Sequence, residues 1–449
     1  MRALGADPAR ERFLIAWSGG ADSTCLLRLA VEEGLDVVAA HLDHGQRDGS
    51  AEEQRALIAL SESWGVSMVP GRADVPLMAQ QAGIGIEEAG RLARQNFLER
   101  ARLATECRWI LTGHTRDDQA ETVLFRLIRG SGLTGVSGVP PRRDPYLRPL
   151  LDLTRAQTAE FCAARGIEVV HDVGNEDEAF SRVRLRKRVL PELRVINPRA
   201  DEHIASFADL AREEDQFLDA MAAAALERTE VALNGALRFL TIDAEAAFDQ
   251  GGLAAEPAVL RRRAVRLVVQ ALGGHVEAGH LAAVESAWDG GIGSLTTPGE
   301  EVEVTWDGER IRFAKREEVE PYRENLETPG VMEAVSLGWQ IEVLASSGEP
   351  PRSEDRLTVG LSQQAIEGQL HIRPAGTGDK MRPLGAPGRR LLSDILAEQG
   401  LTRMARRRLP IVCDLLGPVW IPGGPIEDRA RVRDGEPFWL MRFGRLERV

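Results

Sequence analysis

The apolar positions in the first part of the chain fall into short runs separated by longer amphipathic stretches. Phe13-Leu14-Ile15-Ala16-Trp17 is continuous rather than alternating, the pattern of a strand covered on both faces. Strands are expected at residues 13–17, 37–41, 66–69, 109–112 and 167–170. Between them apolar residues return at helical spacing. One helix begins near Asp22 and carries Cys25-Leu26-Leu27 and Leu29-Ala30; others are expected near 51–64, 87–106, 117–128 and 154–164. Strands alternating with helices predict an α/β domain built on a parallel, doubly wound sheet. In such sheets ligands bind beyond the carboxyl ends of the strands. Ser18–Ser23, His41–Gly45 and Thr112–His114 each follow a strand, so all three should meet at one edge of the sheet.

Past about residue 200 the period changes. Residues 202–290 are rich in Ala, Leu, Glu and Arg at helical spacing. Strand patterns at 301–305 and 310–314 flank the turn Trp306-Asp307-Gly308-Glu309, and the charged, Pro-containing stretch 317–331 reads as a linker. A last unit mixes Gly/Pro turns with one helix near 391–398. The expected domains are 1–200, a mainly helical 201–330, and a small α+β domain at 355–449.

The segment after the first strand carries the clearest chemistry. In Ser18-Gly19-Gly20-Ala21-Asp22-Ser23, paired glycines allow positive φ and close backbone approach, and the amides of a helix start favour an anion. The loop has no Gly-Lys-Ser/Thr ending and no G-x-G-x-x-G spacing, so it is neither a Walker A nor a dinucleotide loop. Ser-Gly-Gly-x-Asp-Ser resembles the pyrophosphate (PP) loop of ATP-pyrophosphatases, which cleave ATP between the α- and β-phosphates and transfer AMP to an oxygen.

A second constellation is Gly113-His114-Thr115-Arg116-Asp117-Asp118-Gln119-Ala120-Glu121-Thr122. A helix starting near Arg116 places Asp117, Asp118 and Glu121 on neighbouring positions near its N-terminus, where negative charge is favoured. Three carboxylates there suit Mg²⁺ on a triphosphate, at Asp117 and Asp118, or the ammonium group of a substrate, at Asp118 and Glu121.

Charge is uneven. The 449 residues carry a net −13, with 28% charged and 5% aromatic residues, the composition of a soluble globular protein. Residues 182–199 nevertheless hold seven basic side chains against one acid, and from His371 to the end 15 Lys and Arg stand against 9 Asp and Glu. Local basic patches on an acidic body suit nucleic-acid contact at selected surfaces. Cys25, Cys107, Cys162 and Cys413 are widely spaced, which argues against a zinc site or iron–sulfur cluster and suits a reducing cytosol. There is no long apolar run and no apolar segment after the starting Met, so a cytoplasmic location without membrane contact is expected.

Together these motifs resemble one family. The PP loop, His41-Leu42-Asp43-His44-Gly45, the Gly-His-x-x-x-Asp-x-x-Glu-Thr segment, Arg129-Gly-Ser-Gly-Leu, Arg148-Pro149-Leu150-Leu151 and Asp172-Val-Gly-Asn175…Arg182…Arg186…Leu190-Pro191-Glu-Leu193 resemble the tRNA(Ile)-lysidine synthetases. The likeness extends to Arg373-Pro-Ala-Gly-Thr-Gly-Asp379 and Arg407-Arg-Leu-Pro410, which are similar to that family's C-terminal domain. Glu88, Arg91 and Arg94 keep the family's helix pattern, whereas Gln95, Gly174, Phe180 and Val183 depart from it.

The resemblance implies an adenine nucleotide alpha hydrolase-like (PP-loop) fold, followed by a helical domain and the small α+β domain. It implies a ligase that adenylates C2–O of the wobble cytidine in tRNA(Ile) with a CAU anticodon, releasing diphosphate. Free L-lysine then displaces AMP to give lysidine. ATP is the implied substrate with Mg²⁺, and a homodimer is compatible. The residues so implicated are Ser18, Gly19, Gly20, Ala21, Asp22, Ser23, His44 and His114 for ATP; Asp22, Ser23, Asp118, Glu121, Arg182 and Arg186 for catalysis; Asp118 and Glu121 for lysine; and Arg91, Arg94, Arg182, Arg186, Arg373 and Arg407 for tRNA. Two other readings use the same loop: a different PP-loop ligase or tRNA thiolase, and a non-catalytic nucleotide- or tRNA-binding protein. Thiolation usually calls for a cysteine pair, which the spacing here lacks.

Overall fold

The apolar run at residues 13–16 lies where its pattern requires, in the middle of a parallel sheet. In this computed structural model, which describes residues 1–45, 50–170, 181–317 and 319–446, the chain divides into two compact units, Met1–Phe217 and Leu218–Val449. The sheet of the first unit comprises β1 (Phe13–Ala16), β2 (Val37–Asp43), β3 (Ser67–Arg72), β4 (Trp109–Leu111), β5 (Arg142–Arg143) and β6 (Tyr146–Leu147), in the order β3-β2-β1-β4-β6-β5. All pairings are parallel except β5 with β6.

Helices α1 (Ala21–Glu32), α2 (Ser50–Ser63), α3 (Val75–Ala82), α4 (Ile86–Ala104), α5 (Arg116–Ile128), α6 (Leu133–Val136) and α7 (Arg155–Ala164) join and cover these strands. Alternate residues of β1 serve opposite faces. Phe13 and Ile15 pack with Leu26, Leu27 and Ala30 of α1 and Leu57 of α2, while Leu14 packs with Phe97, Leu98 and Ala101 of α4. Burying each such side chain contributes about 1.5–3 kcal/mol, so both faces of the run must be apolar. β1 feeds β2 on one side and borders β4 on the other, which opens the ligand crevice of an open α/β sheet at their carboxyl ends.

One expectation fails locally, and two elements were not expected. Residues 167–170 form no strand; instead Val170 N donates to Gly19 O at 2.9 Å, so the segment lies along the PP loop. The strand paired with β4 is the two-residue β6, too short to leave a pattern. Helix α3 was not expected either.

In the second unit, strands Glu245–Asp249, Arg310–Lys315, Val302–Trp306 and Gly293–Thr296 form an antiparallel sheet against helix Ala258–Ala271, with Phe248, Val265, Val269, Val304 and Phe313 in its core. Strand Glu245–Asp249 lies inside the stretch read as helical. Its Glu-Ala-Ala-Phe-Asp sequence is made largely of helix formers, and pairing with Arg310–Lys315 overrides that preference. Two further antiparallel sheets follow, one of Gly330–Ala334, Trp339–Ser346, Phe438–Arg445 and Thr358–Ser362, the other of Glu324–Asn325, His371–Arg373, Ile411–Asp414 and Gly417–Trp420. The stretch expected as a linker therefore contributes strand residues to both. Among the described residues no helix is long and apolar enough to cross a membrane.

The arginines of helix Arg403–Arg408 have different surroundings. Arg407 is exposed, whereas Arg408 is 2% exposed and donates to Leu240 O and Asp243 Oδ1, each at 2.7 Å, and to Glu317. Its own carbonyl accepts from Tyr322 and Trp339. Arg408→Ala is expected to lower the local stability of the segment around Leu240 and Asp243, where its side chain is bonded, by about 2–3 kcal/mol. Arg407→Ala should change it by less than about 0.5 kcal/mol. Native-state amide exchange on the full chain measures both; equal effects would contradict the assignment.

Candidate active site

The PP loop is organised by its own hydroxyls. Trp17 Nε1 donates to Thr24 Oγ1 at 3.0 Å, and that hydroxyl donates to Gly19 O at 3.1 Å. Ser23 Oγ accepts from Ser18 N and donates to Gly20 O, both at 3.1 Å, and lies 3.0 Å from Ser18 Oγ. Gly19 has φ +84°, and a Cβ there would stand 2.9 Å from Val170, so both conformation and space require glycine. Helix α1 starts at Ala21 with no side-chain cap. Ser18 N is satisfied by Ser23 and Gly20 N reaches Ser18 Oγ at 3.4 Å, while the first-turn amides of Ala21, Asp22 and Ser23 have no acceptor within a helix and suit a ligand.

The segments after β2 and β4 converge on this turn. A Cβ on Gly113 would stand 2.9 Å from Asp22 C and Ser23 N, so the chain after β4 passes directly against the start of α1. His114 follows, with Nδ1 2.9 Å from Thr112 Oγ1. Burial pushes its pKa down to about 4, helped by the charges of Arg148, Arg94 and Arg182, so the ring is neutral near pH 7. After β2, Asp43 Oδ1 accepts from Gly45 N at 2.9 Å and closes the turn, and His44 Nε2 lies 3.4 Å from Arg94 Nη2.

The acids at the start of α5 are held by arginine. Thr115 caps the helix through its reciprocal bonds with Asp118, whose Oδ2 accepts from Thr115 N at 2.8 Å and from Thr115 Oγ1 at 2.9 Å. Arg155, the first residue of α7, then reaches all of the expected carboxylates. Its backbone N donates to Asp117 Oδ2 at 2.9 Å, Nη1 to Glu121 Oε1 at 2.6 Å and Nη2 to Asp118 Oδ1, while Nε lies 3.7 Å from Asp22 Oδ2. One turn along α7, Thr158 Oγ1 donates to Asp22 Oδ1. Arg186 adds a fork onto Glu121, at 2.7 and 3.0 Å, and Arg194 Nη2 donates to Asp117 Oδ1 at 2.9 Å.

These contacts set the charges. Burial raises the Asp22 pKa, only partly opposed by the Thr158 hydrogen bond and Arg155. Burial also pushes Asp118 upward, but Arg155 and the Thr115 N–H outweigh it and hold that carboxyl below the ordinary range. The surrounding carboxylates raise Arg155 further above its usual value despite burial.

The two expected Mg²⁺ ligands, Asp117 and Asp118, stand side by side at the start of α5 and are engaged by protein donors. Both oxygens of Asp117 and both of Asp118 already accept N–H or O–H donors, two of them arginine side chains. Asp118 Oδ1 and both oxygens of Asp117 each accept a single donor and keep a second lone pair for a cation, and among the described residues no group of three His, Cys, Asp or Glu side chains is arranged for a metal. Glu121 is 3% exposed and shared by Arg155 and Arg186, so its contacts are also internal.

The expected arginines divide. Arg186 sits in the site, in the wide π-helical turn Leu185–Val189, a form that recurs at functional sites. Arg182 is exposed and stacks over Phe125, 5.6 Å from the ring centre. Arg94 reaches His44, whereas Arg91 on the exposed face of α4 forks onto Glu88 at 2.6 and 2.9 Å. In the second unit Arg373 forks onto Asp379, at 2.6 and 3.0 Å, and Gly376 N donates to the same carboxylate, so this pair braces its own loop. Asp172, Gly174, Asn175 and Phe180 lie outside the described residues. Sequence reading missed Arg155, Thr158 and the role of Arg194. One signal was available: a basic residue at the first position of a helix opposes the macrodipole unless carboxylates stand nearby.

Residues 1–193 match the family model described as the PP-loop domain, and residues 370–443 match that described as the TilS substrate C-terminal domain. The tRNA(Ile)-lysidine synthase of Geobacter sulfurreducens is 30% identical over 439 residues, covering 95% of this chain and 91% of that one. That of Symbiobacterium thermophilum is 34% identical over 453 residues, covering 93% and 90%. That of Leifsonia xyli subsp. xyli is 39% identical over 297 residues, covering 64% and 85%. With a PP loop facing an acid–arginine array, a matching C-terminal domain and relatives alike over nearly their whole length, this chain belongs to the tRNA(Ile)-lysidine synthase family.

Proposed function

We propose that the protein ligates L-lysine to C2 of the wobble cytidine of tRNA(Ile) bearing a CAU anticodon, through an adenylated cytidine. The observation that carries this reading is the meeting of the uncapped α1 amides with the Asp22, Asp118, Glu121 and Arg155 array at one sheet edge. In the first step O2 of the cytosine attacks the α-phosphorus of ATP, the bond to the β-phosphate breaks, and diphosphate leaves. The first-turn amides and the hydroxyls of Ser18 and Ser23 receive the β- and γ-phosphates, and preorganised donors of this kind stabilise charge that grows on the leaving group. ATP enters as its Mg²⁺ complex, a substrate, with Asp117 and Asp118 the carboxylates at hand for the metal.

In the second step the lysine ε-amine attacks C2, AMP departs with the former O2, and the amine loses a proton. Asp118, with part of its carboxylate facing solvent, receives the incoming ammonium, and Glu121 fixes the arginines around it. Neutral His114 follows Gly113, which packs against the start of α1, and is near enough to Arg182 to feel its charge. Arg182 and Arg186 steady charge on the α-phosphate or the tRNA backbone, Arg94 lies on the same edge, and exposed Arg407 offers a phosphate contact in the second unit. A cytidine in a single-stranded loop unstacks at low cost. The thiolase alternative loses support from the cysteines: all four are buried, and burial pushes Cys25 up to about 12, far from a reactive thiolate.

Incubation with ATP, L-lysine and the CAU-anticodon tRNA(Ile), followed by mass analysis of nucleosides, should give lysidine in equal amount with diphosphate. Diphosphate without lysidine would favour another PP-loop ligase, and unused ATP a binding protein. Asp22→Ala and Ser23→Ala should each cut diphosphate release by at least about 100-fold, the scale of one lost charge-stabilising group. Filter binding should show tRNA affinity within about threefold of the parent; a parallel loss of tRNA binding would contradict these roles.

A further inference from the structure

We infer that Arg155 is a positioning residue of the lysine step: its guanidinium fixes Asp118 and Glu121 for the incoming amine and ties them to Asp22 of the PP loop. This inference rests on the lysine-ligating reading above. No sequence motif pointed to Arg155, and its place follows from contacts alone. One guanidinium meets carboxylates from two elements, Asp22 on α1 and Asp118 and Glu121 on α5. Its backbone N–H takes a fourth carboxylate, Asp117. Thr158 of the same helix holds the other oxygen of Asp22. The first turn of α7 therefore sets the spacing between the group that faces ATP and the groups that face lysine.

Charge explains why an arginine is needed. Asp22, Asp118 and Glu121 would repel one another if only Arg186 faced them, and one would take up a proton. A protonated Asp118 cannot hold an ammonium ion. Lysine in place of Arg155 would keep the charge but lose the planar fork that reaches Glu121 and Asp118 together. The groups facing Asp118 are Arg155 from α7, His114 and Thr115 before α5, and Glu121 and Asp117 within α5, with Asp22 opposite and Arg186 beyond Glu121. Removing Arg155 takes away the guanidinium that pairs Asp118 with Glu121 and leaves both carboxylates facing Asp22 without it.

The test separates the two half-reactions in the full-length enzyme. Arg155→Ala and Arg155→Lys should each raise KM for lysine by at least about tenfold, since one lost charge-assisted contact of about 1.4 kcal/mol is a factor of ten. Lysine-independent adenylation of the tRNA, followed as diphosphate release in one turnover, should fall by a clearly smaller factor than the lysine KM rises, because Thr158 still holds Asp22 when Arg155 is gone. Arg165→Ala, which removes an ion pair with Glu32 beyond the far end of α7, is the control for a merely loosened helix and should leave both readouts unchanged. An unchanged lysine KM, or an equal loss in both half-reactions, overturns the inference. If Arg155→Ala does not fold, Arg155→Lys alone decides by the same criteria. A parent enzyme that forms no lysidine overturns the functional reading itself, and the inference with it.

Discussion

Gathering four carboxylates at one edge of a sheet is tolerable only with cations placed among them, and in this protein the first turn of α7 supplies the central one. Arg155 sits at a helix start, where a cation is normally disfavoured, because Asp22, Asp117, Asp118 and Glu121 are already there. The arrangement joins three elements that are distant in sequence: α1 with the PP loop, α5 after β4, and α7. Arg186 and Arg194 extend it to the segment after residue 180. The phosphate-facing amides of α1 and the acids of α5 thus belong to one charge network.

The PP loop adds a steric constraint. Its shape depends on a residue without a side chain at Gly19, wedged against Val170, and on another at Gly113, where the chain after β4 meets the start of α1. Ser18, Ser23 and Thr24 satisfy the inner polar groups of the turn. The first-turn amides consequently point outward, and an anion is their natural partner.

Much of this was legible in the chain. The strand of residues 13–17 could be read because both its faces are buried, and the alternation of strands and helices followed from clear changes in period. Helices α4 and α5 were visible for the same reason. What escaped reading was decided by distant partners. Strand Glu245–Asp249 has a helical composition and is made a strand by Arg310–Lys315. Residues 167–170 have strand-like composition and no strand partner, being engaged by Gly19. In the site, the acids announced themselves by spacing, but their partners did not: Arg155 lies 34 residues from Glu121 and Arg186 lies 65. Arg408 shows the converse error, since a run of basic residues suggested a surface patch and one member is buried among main-chain and acidic acceptors.

The central claim is that the turn after β1 grips the outer phosphates of ATP while the acid–arginine array stands beside the α-phosphate. A crystal structure with an ATP analogue that cannot be cleaved between the α- and β-phosphates tests it most directly. The β- and γ-phosphate oxygens should lie within hydrogen-bond distance of the amides of Ala21, Asp22 and Ser23, with the α-phosphorus on the side of His114 and Arg182. A nucleotide bound elsewhere, with those amides facing only water, would contradict the account.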